Sequence, residues 1–257
     1  IINLKYYNKK KEKLKLVKGS SFMKAVLLAG GIEVSPSPYN QVFPKPMLPV
    51  GNKPVLEWAI LCLKRGGFRD FHIVVSPVTG QMIETYFHNG QSLGVNLHYY
   101  YEEEPLGTAG SIGLVEGLED TFLVMNGDLV TNLDFSKIVS FHRNKKAFLT
   151  LACFSKGIYL DFGYLILNGS QLQDYREKPT LSVSVSTGIY VMEPEVLNYL
   201  PPKRCFHIPE LVNQLISLNK PVFAYEDQYS WWDIGDRKDY ERANEEVDLL
   251  EKSLELS

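Results

Sequence analysis

KAVLLAGG, residues 24–31, is an apolar run halted by two glycines. A short continuous apolar run bounded by glycine reads as a strand buried on both faces and running into a tight loop. Working outward, VLEWAILCLKR (55–65) has helical periodicity and stops at Gly66-Gly67, while FHIVVS (71–76) reads as a second strand. Residues 80–88 suggest a short helix, VNLHYYY (95–101) a strand, and 108–118 a helix that opens behind a glycine. FLVMN (122–126) is a further strand, ending at Gly127-Asp128. The proline-rich stretch 35–54 is too broken for regular structure.

Strands alternating with helices predict an α/β fold, a Rossmann-like and mainly parallel sheet flanked by helices. Ligands of such sheets bind beyond the carboxyl ends of the strands. The two loops richest in chemistry, after Ala29 and after Met125, both lie there. Past residue 147, AFLTLACF, FGYLIL, QLQDYRE and STGIYVM predict a smaller antiparallel β element over the mouth of the sheet. Helices at 193–200 and 208–218 and a charged helix from about 237 follow.

With 45% hydrophobic and 22% charged residues, the 257-residue chain is globular and not disordered. Residues 1–22 hold seven Lys and one Glu, so they read as a Lys-rich extension, and 23–257 as a single domain. That leaves 20 basic against 29 acidic groups in the domain, an acidic body that excludes wholesale binding to a nucleic-acid backbone. No apolar run approaches the length of a membrane span and no apolar region follows the first lysines, so neither membrane nor secretion is expected and the chain is placed in the cytoplasm. Cys62, Cys153 and Cys205 lie far apart without a Cys-x-x-Cys pair, which argues against a zinc knuckle or a disulfide framework and for buried thiols.

Four segments carry candidate chemistry. In LLAGG (27–31), Ala29, Gly30 and Gly31 let backbone N–H groups approach a phosphate, and Lys45, held between Pro44 and Pro46, is a fixed positive charge. In EPLGTAGS (104–111), Gly107 and Thr108 leave room for a flat base, with Glu103 or Glu104 to pair with its edge; a helix cap on Thr108 is the plainer reading. In NGD (126–128) and WWDIGD (231–236), Asp128 and Asp233 are placed to share a Mg²⁺ with phosphate oxygens, although each alone reads as a turn residue. In REKP (176–179), Glu177 suits sugar hydroxyls and Lys178 a phosphate, or the two form an exposed ion pair.

Taken in order, LLAGG, PKPMLPVGNKPVLEW, GTAG, FLVMNGD, FG, REKP, GIYVM and WWDIGDRKDYERAN resemble the sugar-1-phosphate nucleotidyltransferase family over about residues 23–246. The likeness is greatest to short members of the mannose-1-phosphate guanylyltransferase and glucose-1-phosphate thymidylyltransferase kinds. It implies the nucleotide-diphospho-sugar transferase fold and transfer of a nucleoside monophosphate from an NTP such as GTP to a sugar 1-phosphate. Pyrophosphate would leave, and the product would be a sugar nucleotide of GDP-mannose or dTDP/UDP-glucose type. On that resemblance Ala29, Gly30, Gly31, Glu104, Gly107 and Thr108 would bind nucleotide, and Lys45 and Asp128 would be catalytic. Asp128 and Asp233 would hold Mg²⁺, while Asn126, Gly163, Glu177 and Lys178 would face the sugar. The implied partners are the two substrates, with a homo-oligomer left open and neither nucleic acid nor membrane among them.

One motif departs from the family. Its glycine pair opens G-x-G-T-R-L, but Glu33, Val34 and Ser35 stand here where Gly, Thr and Arg belong, and no arginine precedes Arg65. An anionic side chain beside a triphosphate and the loss of a bidentate cation both oppose turnover. The alternative reading is therefore a catalytically impaired relative that binds sugar nucleotide as a regulatory or binding protein.

Overall fold

The computed structural model describes residues 23–31 and 44–255. The Lys-rich segment 1–22 and the triplet Glu33–Ser35 lie outside the described residues. Strands β1 (Lys24–Leu28), β2 (Asp70–Val75), β3 (Asn96–Tyr101) and β4 (Phe122–Asn126) lie side by side in the order β3-β2-β1-β4, all parallel. Beyond β4 come β9 (Thr180–Met192), then β6 (Leu149–Tyr159) and β10 (Val222–Glu226), completing a seven-stranded sheet in which β9 alone runs against the rest. The chain steps outward from β1 to β2 and β3, then crosses back to the far side of β1 for β4. That reversal opens a crevice at the carboxyl ends of β1 and β4.

Each central strand feeds two cores. Ala25 and Leu27 of β1, with Leu123 and Met125 of β4, pack under helix α1 (Val55–Arg65). Val26, Phe122 and Val124 face the opposite core with Ile112, Leu211 and Leu215. Side chains alternate across a strand, so a strand covered on both faces must be apolar throughout, as KAVLLA is. The helix α1 buries seven of its eleven side chains, and Trp58 Nε1 donates to Val50 O at 2.9 Å. Cys62 sits fully buried on the same helix, where burial pushes its thiol up to about 12. Helix α2 (Pro77–Phe87) is capped by Ser76, whose hydroxyl accepts from Thr79 N at 3.2 Å.

Beyond the Cys153–Ser186 pair, β6 and β9 leave the sheet and pair only with each other out to Tyr159–Thr180. This arm carries a separate antiparallel hairpin, β7 (Tyr164–Asn168) and β8 (Gln171–Arg176). It is the expected antiparallel element, rising from the same edge of the sheet as the crevice.

Several local expectations change. Residues 108–118 are not one helix: a single turn, Gly107–Gly110, and a 3-10 turn, Ser111–Leu114, give way to extended chain at Val115. Glycines at 107, 110, 113 and 117 remove helix propensity, and Gly107 and Gly117 adopt φ of +72° and +73°. Within 44–54 the chain is ordered, with a 3-10 turn at Lys45–Met47 and a short ladder between Pro49–Val50 and Lys53–Pro54. Residues 193–200 form a 3-10 turn, Pro194–Tyr199, and the charged helix is split into Arg237–Glu245 and Val247–Glu255. Of the three thiols expected to be buried, Cys205 is exposed, because it sits in the loop ahead of helix Ile208–Ser217 and not in a core. Among the described residues no helix is long and apolar enough to cross a membrane.

Candidate active site

A cleft of about 630 Å³ opens at the carboxyl ends of β1, β2 and β4. Its floor is the glycine loop. Gly127 N donates to Leu28 O at 2.8 Å and Ala29 N to Val74 O at 2.8 Å, which ties three strand ends together. A Cβ on Gly30 would lie 2.8 Å from Glu102 Oε2 and 3.3 Å from Ser76 N, so only glycine fits there without displacement. Among the described residues nothing lies within 4 Å of a Cβ on Gly31. The N-terminus of α2 enters the cleft through Ser76, Pro77 and Val78.

At one end stand Glu102, Glu103, Gly107, Thr108 and His207. Gly107 lies against Phe206, whose carbonyl would be 2.7 Å from a Cβ at that position. Phe206 O also accepts from Ala109 N and Gly110 N at 2.9 Å, and Thr108 Oγ1 accepts from Ile208 N at 3.0 Å. Thr108 is thus a cap, but of the helix a hundred residues later and not of its own turn. Glu104 is exposed and outside the cleft lining; the carboxylate turned inward is Glu102, which accepts from Ser111 Oγ at 2.9 Å and from Leu106 N. Three consecutive glutamates give the sequence no means of choosing among them. The strand end at Tyr101 chooses.

At the other end are Asn126, Asp128 and Lys45. Asp128 leads into β5 (Leu129–Thr131), which pairs antiparallel with β11 (Trp231–Asp233), so Asp233 lies opposite Leu129 and Ile234 N donates to Asp128 O at 3.1 Å. The two aspartates, about a hundred residues apart in sequence, are therefore ladder neighbours. A Cβ on Gly235 would be 3.0 Å from both Asp233 Oδ1 and Lys45 Nζ, which places the Lys45 ammonium beside the Asp233 carboxylate. Asp233 Oδ1 accepts from Gly235 N at 2.9 Å. Asn126 closes this end against Gly188, whose φ is +73° and whose Cβ would fall 2.8 Å from Asn126 Nδ2.

Of the four expected sugar-facing residues, Asn126 lines the cleft and the other three do not. Gly163, Glu177 and Lys178 belong to the arm and line no part of the cleft. A Cβ on Gly163 would strike the Tyr175 hydroxyl at 2.5 Å, Glu177 Oε2 accepts from that hydroxyl at 2.6 Å, and Lys178 Nζ meets Asp161 Oδ1 at 2.7 Å. Lys178 thus forms an exposed ion pair, but with Asp161 and not with Glu177. His207, which lines the cleft, carries no motif that would single it out; its backbone N–H donates to Glu210 Oε2 at 2.8 Å, as helix starts commonly do.

Asp128 lines the cleft, whereas Asp233, opposite Leu129 on the neighbouring strand, does not. Carboxylates are the donors a hard cation such as Mg²⁺ takes, one or two from the protein. Among the described residues no group of three or more His, Cys, Asp and Glu side chains gathers.

Comparison with known proteins places these features together. A family model described as nucleotidyl transferase matches residues 24–249. A UTP–glucose-1-phosphate uridylyltransferase of Synechocystis is 31% identical over 242 residues, covering 86% of this chain and 62% of that protein. A mannose-1-phosphate guanylyltransferase of Mycobacterium tuberculosis is 28% identical over 233 residues, covering 87% and 64%. The chain therefore spans less than two thirds of the length of these relatives. A crystal structure from Bacillus anthracis, described as a glucose-1-phosphate thymidylyltransferase in complex with a sucrose, superposes with a TM-score of 0.71 at 27% identity over 87% of this chain and 94% of that one.

Proposed function

We propose that this chain, which belongs to the nucleotidyl transferase family, transfers a nucleoside monophosphate from an NTP to a sugar 1-phosphate. The observation that supports the reading is the placement of Lys45 and Asp128 at the end of a cleft floored by Gly30 and Gly31, with Asp233 outside the lining on the neighbouring strand and beside Lys45. A sugar-phosphate oxygen attacks the α-phosphorus, the bond from that phosphorus to the β-phosphate bridge oxygen breaks, and pyrophosphate departs with the bonding pair. The attacking phosphate is already anionic, so the reaction needs charge neutralisation and in-line placement more than a base. Lys45, stiffened by its flanking prolines, supplies a cation that needs little reorganisation. Asp128 and Asp233 would hold a Mg²⁺, which neutralises phosphate charge when bound.

The acidic end of the cleft favours guanine. A carboxylate only accepts hydrogen bonds, and guanine offers two adjacent donors, N1–H and N2–H₂, where uracil and thymine offer one donor flanked by acceptors. Glu102 and Glu103 are the carboxylates there. GTP with mannose 1-phosphate is the preferred pair, and UTP or dTTP with glucose 1-phosphate the second. The altered Glu33–Ser35 triplet lies outside the described residues, and neither the cleft nor the comparisons favour an impaired binding protein.

Pyrophosphate release with GTP, UTP, dTTP and ATP against mannose 1-phosphate and glucose 1-phosphate tests the proposal. The fastest release is expected with GTP and mannose 1-phosphate. Release with UTP or dTTP alone overturns the base assignment but not the transfer. Silence with every pair overturns both.

A further inference from the structure

At the end of the cleft that holds Glu102, two glycines each lie against one polar side chain. A Cβ on Gly30 would fall 2.8 Å from Glu102 Oε2, and a Cβ on Gly107 would fall 3.1 Å from His207 Cε1. Glu102 is anchored through its other oxygen, Oε1, which accepts from Ser111 Oγ at 2.9 Å and from Leu106 N, so Oε2 keeps its lone pairs for a ligand.

His207 is held from both sides. Phe206 N donates to Leu106 O at 2.7 Å, Phe206 O accepts from Ala109 N and Gly110 N at 2.9 Å, and Ile208 N donates to Thr108 Oγ1 at 3.0 Å. These bonds stitch both neighbours of His207 to the 106–110 turn. The neighbours are buried, whereas His207 itself is exposed and lines the cleft. The start of helix Ile208–Ser217 has no need of the imidazole, since Thr108 Oγ1 and Glu210 Oε2 take the N–H groups of Ile208 and His207. The partner of Nε2 is the Cys205 thiol at 3.6 Å, and sulfur is a weaker hydrogen-bonding group than a carbonyl oxygen. A held acceptor and a held donor thus line the same end of the cleft.

That pair matches one edge among the nucleobases. Guanine, uracil and thymine each carry a ring N–H beside an exocyclic carbonyl, whereas adenine and cytosine carry a bare ring nitrogen beside an amino group. We propose that His207 selects the base: its Nε2–H donates to the exocyclic carbonyl while Glu102 Oε2 accepts from the neighbouring ring N–H. ATP and CTP set a bare nitrogen against the carboxylate and an amino group against the imidazole N–H, which leaves both protein groups unsatisfied. The inference rests on an NTP occupying the cleft, as the proposed transfer requires, but not on the choice between guanine and uracil or thymine.

Isothermal titration calorimetry without sugar 1-phosphate tests it on pairs that differ only at this edge, ITP against ATP and UTP against CTP. In the ring class that binds, the keto member is expected to bind at least about a hundredfold more tightly than its amino partner. His207→Ala should cost the keto member at least about tenfold and leave the amino member unchanged. His207→Gln, whose amide N–H replaces the imidazole N–H, should restore most of that loss. Equal affinity within both pairs overturns the proposal, and so does a His207→Ala chain that weakens keto and amino members alike, or a His207→Gln chain no better than His207→Ala. Binding of neither pair at about 1 mM overturns the nucleotide site as well. A keto preference that depends on His207 in a chain releasing no pyrophosphate supports this inference and removes the transfer alone.

Discussion

The cleft half of the sheet and the arm beside it are both made of paired strands, but they are held by different means. In β1 and β4 every apolar side chain belongs to one of two cores, so a one-residue slip would exchange the two sets, and the register is fixed by burial. The loops at those strand ends inherit that rigidity, which is why Gly30, Asn126 and Asp128 stand at defined places. In the arm, β7 and β8 pair only with each other, and alternate apolar residues face outward. Burial within one chain thus explains the first region completely. The second has surface to spare, and its chemistry faces out.

The largest effects should fall on the cleft alone. Asp128→Asn or Lys45→Ala is expected to lower kcat/KM by at least about 10³-fold with stability kept within about 1 kcal/mol, measured by pyrophosphate release and urea unfolding. A variant retaining a tenth of wild-type activity would remove the distinction between the two regions.

Glycine substitution sharpens the same contrast. At Gly107 the backbone has φ of +72° and a Cβ would lie 2.7 Å from the Phe206 carbonyl, so Gly107→Ala should cost about 2–3 kcal/mol and raise KM for the nucleotide. Gly169, between β7 and β8, has φ of +59° but nothing within 4 Å of a Cβ, so Gly169→Ala should cost about 1 kcal/mol from backbone strain alone. Equal losses in urea unfolding would show that packing does not separate the two sites.

A pH measurement probes the buried half. His72 on β2 is 4% exposed, and burial, with smaller contributions from His98 and Lys24 against the opposing pull of Asp70, lowers its pKa from 6.5 to about 4. The unfolded chain therefore takes up the proton first. Stability from this group is full above pH 6.5 and is lost as pH falls toward 4, by about 3 kcal/mol. His72→Gln should flatten that part of the stability profile, and an unchanged slope would deny the histidine its role. Asp174 in the arm, held low by its hydrogen bond from Arg176, stays in contact with water and should add no comparable slope.

The smallest effect is expected at Lys178. It lies on the arm in an ion pair with Asp161, so Lys178→Ala should change kcat/KM for sugar 1-phosphate by less than about threefold. A hundredfold loss would show that the arm reaches the cleft during turnover.

The parts read correctly from sequence are those where local chemistry and burial agree. KAVLLA can only be a strand covered on both faces, and VLEWAILCLKR has one apolar side and a glycine stop, so both appear where expected. Residues 108–118 have fewer apolar residues and three intervening glycines, and there the tertiary contact with Phe206 decides a single turn. Motif order was enough to pair Asp128 with Asp233 as candidates. It could not show that Glu102 turns inward while Glu104 faces water, or that His207 joins the cleft, because those depend on where a strand ends and which distant loop packs on it.

By itself, then, the sequence determined the α/β class, the order of the strands along the chain and the chemical kinds of group at their ends. These follow from periodicity, glycine stops and side-chain type, all of which act over a few residues. Only the tertiary structure decided that Asp233 comes to Asp128, that Thr108 caps a helix a hundred residues away, and that Gly163, Glu177 and Lys178 stand apart on an arm. Those placements are set by ladder register and by contacts between segments far apart in the chain. Their free energy comes from surfaces that exist only once the sheet has formed.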